Sequence, residues 1–251
     1  TLGAGDTLTI DEATDQAVKV VSVNDSAGVV EYKLSDVTGS SDAVTFELKG
    51  SIAAGAQLKT TDIETVTVKA SEAENINLAN LSMTTAGETM KLVVTGDNAL
   101  TVSALNADVT TIDASGMDEG GSIVQTGRSS TAVATYTGSD GDDTFQMKHG
   151  DDSIDAGAGT ADKLVVTKNL ILGGIKVDLS KTGDQITTFN GNSNSAAQTG
   201  FESVDLTGIT GSFGAEVVAI KGGSTIIGTS NIDVLTGGAG VDNFGYKAHG
   251  D

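Results

Sequence analysis

Apolar and polar residues alternate in short runs along most of the chain, and this spacing constrains the fold more than any other feature. In the run TVTVKA at 65–70, Val66, Val68 and Ala70 fall on one face and the intervening residues fall on the other. Strict alternation of this kind is typical of a half-buried β-strand. Similar runs occupy 7–10, 76–78, 91–95, 100–102, 110–113, 122–124, 163–166, 204–206 and 224–227. The spacing therefore predicts an all-β fold.

Glycine, asparagine, aspartate and serine separate these runs, as expected of turns between short strands. The 251 residues include 33 glycines, about twice the usual share of about 7 %. No window of eleven residues carries a clear helical spacing, and a short helix at 11–20 or 52–60 is the alternative that the pattern leaves open. The chain has no cysteine, which excludes disulfides, thiolate metal sites and a cysteine nucleophile.

Internal repeats decide between a β-sandwich and a solenoid. The similar segments are 62–70 with 200–208, 3–10 with 157–166, and 148–151 with 247–251. The first pair shares the rung motif (Ile/Phe)-Glu-(Thr/Ser)-Val, and the second copy of the repeat lacks much of the stretch 71–137. Units that are gained or lost without destroying the fold are typical of solenoids, in which each unit contacts only its neighbours.

The repeats divide the chain into two unequal modules. The first, 1–155, ends in a Gly-Asp block that occupies 138–164, and the second, 156–251, is shorter and contains the block 228–251. Because the last repeat stops inside a unit at Asp251, we expect the chain to be a segment of a longer protein.

The two Gly-Asp blocks carry the strongest chemical signal. Their nonapeptides follow the pattern Gly-Gly-x-Gly-x-Asp-x-apolar-x, which binds calcium in stacked turns. The windows in register are 138–146, 147–155, 156–164, 228–236 and 237–245. Two positions depart from the pattern, because Asp162 is displaced by one residue and Asn231 stands in place of a glycine. Asparagine is the other residue that tolerates a positive φ.

The pattern has a direct physical reason. Calcium prefers six to eight oxygen ligands at about 2.3–2.6 Å. Glycines allow successive carbonyls to converge, and stacked turns place the aspartate of one turn beside the carbonyls of the next. We therefore predict several calcium ions that cross-link the turns. The candidate calcium-binding residues are Gly138, Asp140, Gly141, Asp143, Gly150, Asp152, Gly159, Asp162, Gly228, Asp233, Gly237, Gly240 and Asp242.

Other residues make weaker site candidates, and no catalytic residue is predicted. His149 and His249 occupy equivalent repeat positions about 100 residues apart, which disfavours a metal-binding pair. Glu64 and Glu202 recur in the rung motif, and repeat positions of this kind usually serve the rung itself. The 34 acidic and 14 basic residues give a formal charge of −20, which argues against nucleic-acid binding. No apolar run approaches the ~18 residues of a membrane-spanning helix.

The Gly-Asp blocks resemble those of RTX (repeats-in-toxin) proteins. The runs IETVTV at 63–68, LVVTGDNALTV at 92–102 and VTTIDASG at 109–116 are similar, more narrowly, to calcium-dependent bacterial surface-layer (S-layer) proteins of the RTX type. The similarity covers 60–166 well and recurs in part at 200–245. The resemblance implies a right-handed parallel β-solenoid with RTX β-roll segments. It also implies that calcium is bound by the carboxylates of Asp143, Asp152, Asp162, Asp233 and Asp242.

The same resemblance implies a structural role outside the cell. The expected partners are copies of the chain itself in a two-dimensional lattice, with a cell-surface polysaccharide as a further anchor through parts outside this segment. We expect secretion by a type I system without a cleaved N-terminal signal, and folding in extracellular calcium. Two alternatives remain open, namely a calcium-stiffened segment of an RTX adhesin and the RTX tail of a secreted hydrolase.

Overall fold

Short strands follow one another through the whole of the described chain. The structure is a computed structural model that describes residues 6–13, 17–20, 28–34, 39–48, 56–71, 76–78, 80–84, 89–103, 105–106, 108–118, 120–128 and 132–247. None of these residues is helical. The strands stack into parallel sheets that form a β-solenoid, so the predicted fold class is confirmed.

The chain divides into two compact units, each of which is built from stacked parallel strands. The first contains residues 1–132 and 137–141, and the second contains residues 133–136 and 142–251. The sequence repeats predict a boundary between two repeat modules at 155/156. This module boundary stays a prediction.

The first unit consists of three parallel ladders. Its strands are β1 (Thr7–Ala13), β2 (Ala17–Val20), β3 (Val29–Leu34), β4 (Ala43–Leu48), β5 (Gln57–Thr61), β6 (Thr65–Ala70), β7 (Ile76–Leu78), β8 (Asn80–Thr84), β9 (Met90–Gly96), β10 (Leu100–Val102), β11 (Val109–Met117) and β12 (Ile123–Gln125). The ladders run β1-β3-β5-β8, β2-β4-β6-β9-β11 and β7-β10-β12.

The alternation seen in the sequence becomes the core of this unit. In β4, β6 and β9 every second side chain is buried, and the register stacks Val44 on Val66 and Val66 on Leu92. Because parallel strands lie ~4.8 Å apart, each buried side chain contacts its counterpart in the turn above. Tyr32 and Phe46 add an edge-to-face ring contact at 6.4 Å.

The second unit repeats this construction. Its strands are β13 (Thr135–Thr137, shared with the first unit at its last residue), β14 (Thr144–Met147), β15 (Ser153–Asp155), β16 (Lys163–Leu170), β17 (Ile175–Asp178), β18 (Ile186–Phe189), β19 (Asn192–Ser193), β20 (Gln198–Thr199), β21 (Ser203–Gly211), β22 (Ala215–Val218), β23 (Thr225–Ile227), β24 (Val234–Thr236) and β25 (Asn243–Gly245). Its parallel ladders run β14-β16-β21-β23-β25, β15-β20 and β17-β22-β24.

An antiparallel hairpin interrupts the second unit between β16 and β21. β18 pairs with β17 and with β19 in antiparallel register. The turn between β18 and β19 is Asn190-Gly191, and both residues have positive φ, at 53° and 76°. Asn-Gly is the preferred pair for such a turn, because both central residues must adopt φ > 0.

The predicted strands are confirmed, and the helical alternative is wrong where the structure describes it. β6, β7 and β10 have the predicted bounds, and each of the other predicted runs overlaps a strand. The run 122–124 is shifted by one residue from β12, and the run 224–227 begins one residue before β23. The sequence allows a short helix at 11–20 or at 52–60. In the structure, 11–13 and 17–20 lie in β1 and β2, and 57–60 lies in β5. The ladder hydrogen bonds outweigh any local helical preference there. No helix in the described part of the chain is long and apolar enough to span a membrane.

Candidate metal centre

Two aspartates of the second Gly-Asp block each join two successive turns. Asp242 accepts the N–H of Gly238 in its own turn through Oδ2 at 2.8 Å, and that of Ser224 in the preceding turn through Oδ1 at 2.9 Å. Asp233 does the same with the N–H groups of Thr229 and Ala215, both at 2.8 Å. We call this arrangement a carboxylate bridge.

Asp152 forms the same bridge in the first block, at a fully buried position. Its Oδ1 accepts the N–H of Ala134 at 2.8 Å, and its Oδ2 accepts the N–H groups of Lys148 at 3.0 Å and His149 at 2.9 Å. The Asp152 side chain is 0 % exposed. Hydrogen bonds to an ionised acceptor are about twice as strong as neutral ones, so these three stabilise the buried charge directly.

The spacing of the bridges equals one full turn of the solenoid. In all three, the amide of the preceding turn lies 18 residues before the aspartate and the amide of the same turn lies four residues before it. The nonapeptide is therefore half a turn. The sequence predicts that calcium joins successive turns here. In the structure, backbone N–H groups already donate hydrogen bonds to both oxygens of each bridging carboxylate.

The glycines of the pattern have two separate roles. Gly228 and Gly237 make room for the aspartate of their own turn, because an added Cβ would lie 2.4 Å from Oδ2 of Asp233 and 2.8 Å from Oδ2 of Asp242. Gly240 instead admits the backbone of the preceding turn, since its Cβ would lie 2.4 Å from Gly222.

Asn231 does not take the positive φ that its place in the pattern suggests. The non-glycine residues with positive φ in the described chain are Asp62 and Asn190. Instead, the Asn231 side-chain amide donates to the carbonyls of Gly211 and Phe213, both at 3.1 Å. A side-chain hydrogen bond to the preceding turn replaces the close backbone approach that glycine permits.

The remaining predicted residues of the first block are dispersed. In the first unit, Gly141 lies against the Gly121 carbonyl, 2.2 Å from where its Cβ would be, while Asp140 is exposed and Gly138 is buried. In the second unit, Gly150 packs against the ring of Phe189.

Asp162 departs from the bridge geometry, as its displacement in the sequence suggests. Its Oδ1 accepts the N–H of Asp143, 19 residues earlier, at 2.7 Å. Its Oδ2 is buried and has no hydrogen-bond partner. Gly159 precedes it in the same turn, but the N–H groups of Thr160 and Ala161 donate to Asp142, both at 2.9 Å. The extra residue thus leaves half of a fully buried carboxylate without a donor.

Burial and neighbouring negative charge both raise the pKa of Asp162. Burial raises its pKa to about 7, against the hydrogen bond from the Asp143 N–H, and the nearby carboxylates of Glu202, Asp143 and Asp142 raise it further. Burial also raises the pKa of Glu202, and Asp142 contributes to that increase. This part of the structure concentrates negative charge with too few donors to balance it.

Glu202 and Asp142 are members of this group that the sequence pattern does not identify. Glu202 Oε2 accepts the N–H of Asp162 at 2.8 Å, and in the first unit Glu64 Oε2 accepts the N–H of Asp42 at the same distance. Both glutamates of the rung motif therefore link neighbouring turns of the solenoid through a hydrogen bond to the backbone. The repeat of the rung motif is the signal that identifies Glu202. It does not reveal that the N–H that Glu202 accepts belongs to Asp162, an aspartate with an unpartnered oxygen.

The donor set fits a calcium ion at Asp162 better than at the bridges. An unpartnered buried carboxylate oxygen with further carboxylates nearby matches the preference of calcium for charged oxygen ligands. Within the described residues, no three or more Asp, Glu or His side chains are grouped so that they could hold a metal ion. Backbone carbonyls would have to supply the remaining ligands, as the nonapeptide pattern requires.

His149 Nδ1 accepts the N–H of Asp151 at 3.2 Å, which is a local turn contact, and His249 lies outside the described residues. Comparison of the chain with protein-family models, with curated proteins and with solved structures finds no match.

Proposed function

We propose that the chain is a structural segment of a secreted, calcium-dependent surface-layer subunit of the RTX type, which assembles with copies of itself into a lattice on a bacterial cell. The support comes from the solenoid fold and from the Gly-Asp turns. The observation that carries the calcium part is the buried Oδ2 of Asp162, which has no hydrogen-bond partner.

A cation at Asp162 would balance a buried carboxylate oxygen that has no hydrogen-bond partner. An isolated carboxylate is costly to bury unless it is paired or ligates a metal. Asp162 would hold the ion together with carbonyls of the Gly-Asp turns, and the nearby carboxylates of Glu202 and Asp142 would add to the negative charge that attracts it. Calcium supplies positive charge there, so that Asp162 can stay ionised at neutral pH.

The bridges give the same turns a second source of stability. Asp152, Asp233 and Asp242 already join successive turns through amide donors, so the solenoid can keep its shape between ion sites. Each carboxylate oxygen has two lone pairs, and those that accept a single N–H retain capacity for an ion.

The net charge of −20 makes both folding and assembly dependent on cations. Self-repulsion destabilises a compact state and opposes contact between like-charged copies. Extracellular fluid is rich in calcium and the cytosol is not, so the proposal places folding and assembly after secretion. A cell-surface polysaccharide is the anchor that we propose for the lattice.

A calcium titration of the whole chain tests the proposal. Starting from calcium-free buffer, we expect far-UV circular dichroism to show a gain of β-structure and light scattering to show growth in mass. Electron microscopy should then show sheets. Magnesium at equal concentration is the control, because it demands a smaller octahedral site. Asp162→Asn removes the unpartnered buried charge, so calcium should add less β-structure to this variant than to the natural chain. Asp118→Asn, at an exposed position outside both Gly-Asp blocks, should respond to calcium as the natural chain does.

Three outcomes separate the proposal from its alternatives. Identical spectra with and without calcium would exclude calcium-dependent folding. Calcium-dependent folding to a stable monomer would favour the RTX adhesin segment or the tail of a secreted hydrolase. Sheets that form equally in magnesium would support a lattice held by general charge screening.

A further inference from the structure

The hairpin of β18 and β19 closes a cavity on the second unit. The cavity has a volume of about 230 Å³ and lies between the turn 149–151, β16 and the hairpin. All of its lining residues belong to internal turns of that unit. The polar side chains that line it include those of His149, Asp151, Lys168, Asn190 and Asn192. We call it the hairpin cavity.

The hairpin lies in the part of the repeat that is longer in the second unit. Glu202 follows Asp162 by 40 residues, whereas Glu64 follows Asp42 by 22. Insertions into one unit of a solenoid often form its binding face. Binding residues also lie preferentially on loops that a rigid scaffold positions. The hairpin cavity therefore has the position that a ligand site takes on a solenoid.

The turn 149–151 and the hairpin meet at the ring of Phe189. The Phe189 side chain is 6 % exposed, so it belongs to the core and offers little apolar surface to a ligand. A Cβ at Gly150 would lie 3.1 Å from this ring, and glycine thus allows the turn to lie close to the hairpin. The surface that remains accessible in the cavity is mainly polar.

Hydrogen bonds outside the cavity hold its polar side chains in place. Asn190 Oδ1 accepts the two N–H groups of 171–172 at 2.8 and 3.0 Å, which leaves Asn190 Nδ2 without an acceptor among the described residues. Asp151 accepts the hydroxyl of Ser195. His149 Nδ1 accepts the N–H of Asp151, so the neutral ring carries its hydrogen on Nε2 and can donate there. Groups that are fixed in this way lose little freedom when a ligand binds.

Lys168 adds a positive charge to the hairpin cavity. Lys163 and Lys176 pair with carboxylates, of Asp205 at 3.2 Å and Glu216 at 2.7 Å. Within the part of the chain that the structure describes, the half-buried Lys168 has no such partner. An unpaired cation in a cavity favours a ligand with an anionic group. The same charge opposes a calcium ion, so the chemistry here differs from that of the Gly-Asp turns.

We propose that the hairpin cavity binds one sugar unit that carries a carboxylate. The ligand carboxylate pairs with Lys168, its hydroxyls donate to Asp151 and to the side-chain carbonyl of Asn192, and Asn190 Nδ2 donates to a further ligand oxygen. The volume of about 230 Å³ is below the ~300–1,000 Å³ of sites for drug-sized ligands, which suits a single ring.

The charges of the cavity distinguish such a sugar from simpler ligands. A small anion would pair with Lys168 but would be repelled by Asp151 and by the net charge of −20. A neutral sugar would leave Lys168 unpaired. The inference deepens the proposed function, because an acidic cell-surface polysaccharide would supply the sugar units, and it rests on that function for the choice of partner.

Saturation-transfer NMR on the whole chain in calcium tests the binding. The probes are the methyl glycosides of glucuronic, galacturonic and mannuronic acid, each compared with its neutral counterpart and with acetate. We expect at least one acidic sugar to bind about tenfold more tightly than its neutral counterpart and than acetate, because Lys168 contributes a charge-assisted hydrogen bond.

Two variants separate the roles of the cavity residues. Lys168→Met keeps the length of the side chain and should reduce the preference for the acidic sugar to less than about threefold. Asp151→Ala should weaken the acidic and neutral sugars equally and leave the preference unchanged. Lys221→Met, at an exposed lysine outside the cavity, is the matched control and should bind as the natural chain does. Circular dichroism of each variant confirms that the fold is intact.

An acidic sugar that binds no better than acetate, or equally well to Lys168→Met and Lys221→Met, would overturn the sugar site. If sheets still form in calcium, the proposed lattice survives and has its anchor elsewhere. A preference that Lys168→Met removes, in a chain that forms no sheets, would support the sugar site and overturn the lattice.

Discussion

The turn at Asp152 and the turn at Asp162 use the same residue type for opposite electrostatic results. Both carboxylates are fully buried. Asp152 accepts three backbone N–H groups, whereas Asp162 accepts one and has an oxygen without a partner. The difference arises from one extra residue. Asp162 lies 19 residues after Asp143, whose N–H it accepts, whereas Asp152 lies 18 residues after its donor Ala134. Such a change converts an internal hydrogen-bonded link into a buried carboxylate with one oxygen that has no donor.

The largest expected effect is the loss of the buried bridge. Asp152→Ala should lower the free energy of unfolding by about 4 kcal/mol, because three buried or half-buried N–H groups lose their acceptor. Urea unfolding followed by far-UV circular dichroism measures the change. Asp140→Ala, at an exposed position of the same block, should cost less than about 0.5 kcal/mol. Equal losses in the two variants would show that the bridge adds no stability.

The free energy of unfolding, measured at two pH values in calcium-free buffer, sharpens the contrast between Asp162 and Asp152. Its pKa in the folded protein is about 7, above the ordinary 3.8, so the folded state binds the proton more tightly. The associated stability is present at low pH and is lost as the pH rises through about 7. The free energy of unfolding should thus be higher at pH 5 than at pH 8, by on the order of 2 kcal/mol.

Asp162→Asn provides the check on this assignment. The variant should lose most of the pH difference and should be more stable than the natural chain at pH 8 without calcium. Some difference should remain, because burial also raises the pKa of Glu202. Excess calcium should remove the pH difference from the natural chain. An unchanged pH difference in the variant would mean that another group titrates.

The smallest effect is expected at the half-buried bridge of the second block. Asp242→Ala should lower the free energy of unfolding by about 1 kcal/mol, because the N–H of the exposed Gly238 can turn to water when the carboxylate is removed and only the buried Ser224 N–H loses its acceptor. Urea unfolding at low protein concentration avoids any contribution from contacts between copies. A loss as large as that of Asp152→Ala would show that burial does not set the strength of a bridge.

Much of the fold could be predicted because its signals are local. Alternation in runs such as 65–70 identifies strands, and repeated rungs identify the solenoid. The hairpin at β18 and β19 was not predicted, although Asn190-Gly191 is the local signal that could have found it. That insertion also separates Glu202 from Asp162 by 40 residues, where Glu64 follows Asp42 by 22.

The site was less predictable, because one pattern serves two different chemistries. A glycine-flanked aspartate can accept amides, as Asp233 does, or remain unsatisfied, as Asp162 does. Only the exact length of the half turn distinguishes the two cases. The nonapeptide pattern alone does not predict which carboxylates keep an oxygen without a donor.

The 18-residue spacing of the bridges also limits how such a gene can change in length. The bridges at Asp233 and Asp242 lie nine residues apart, and the strands that follow them, β24 and β25, belong to different sheets. Loss of 228–236 by recombination would therefore place Ala215, the amide donor of Asp233, 18 residues before Asp242. Changes by whole repeats of nine residues should conserve a bridge, whereas a change of any other length should leave a carboxylate oxygen without a donor, as at Asp162.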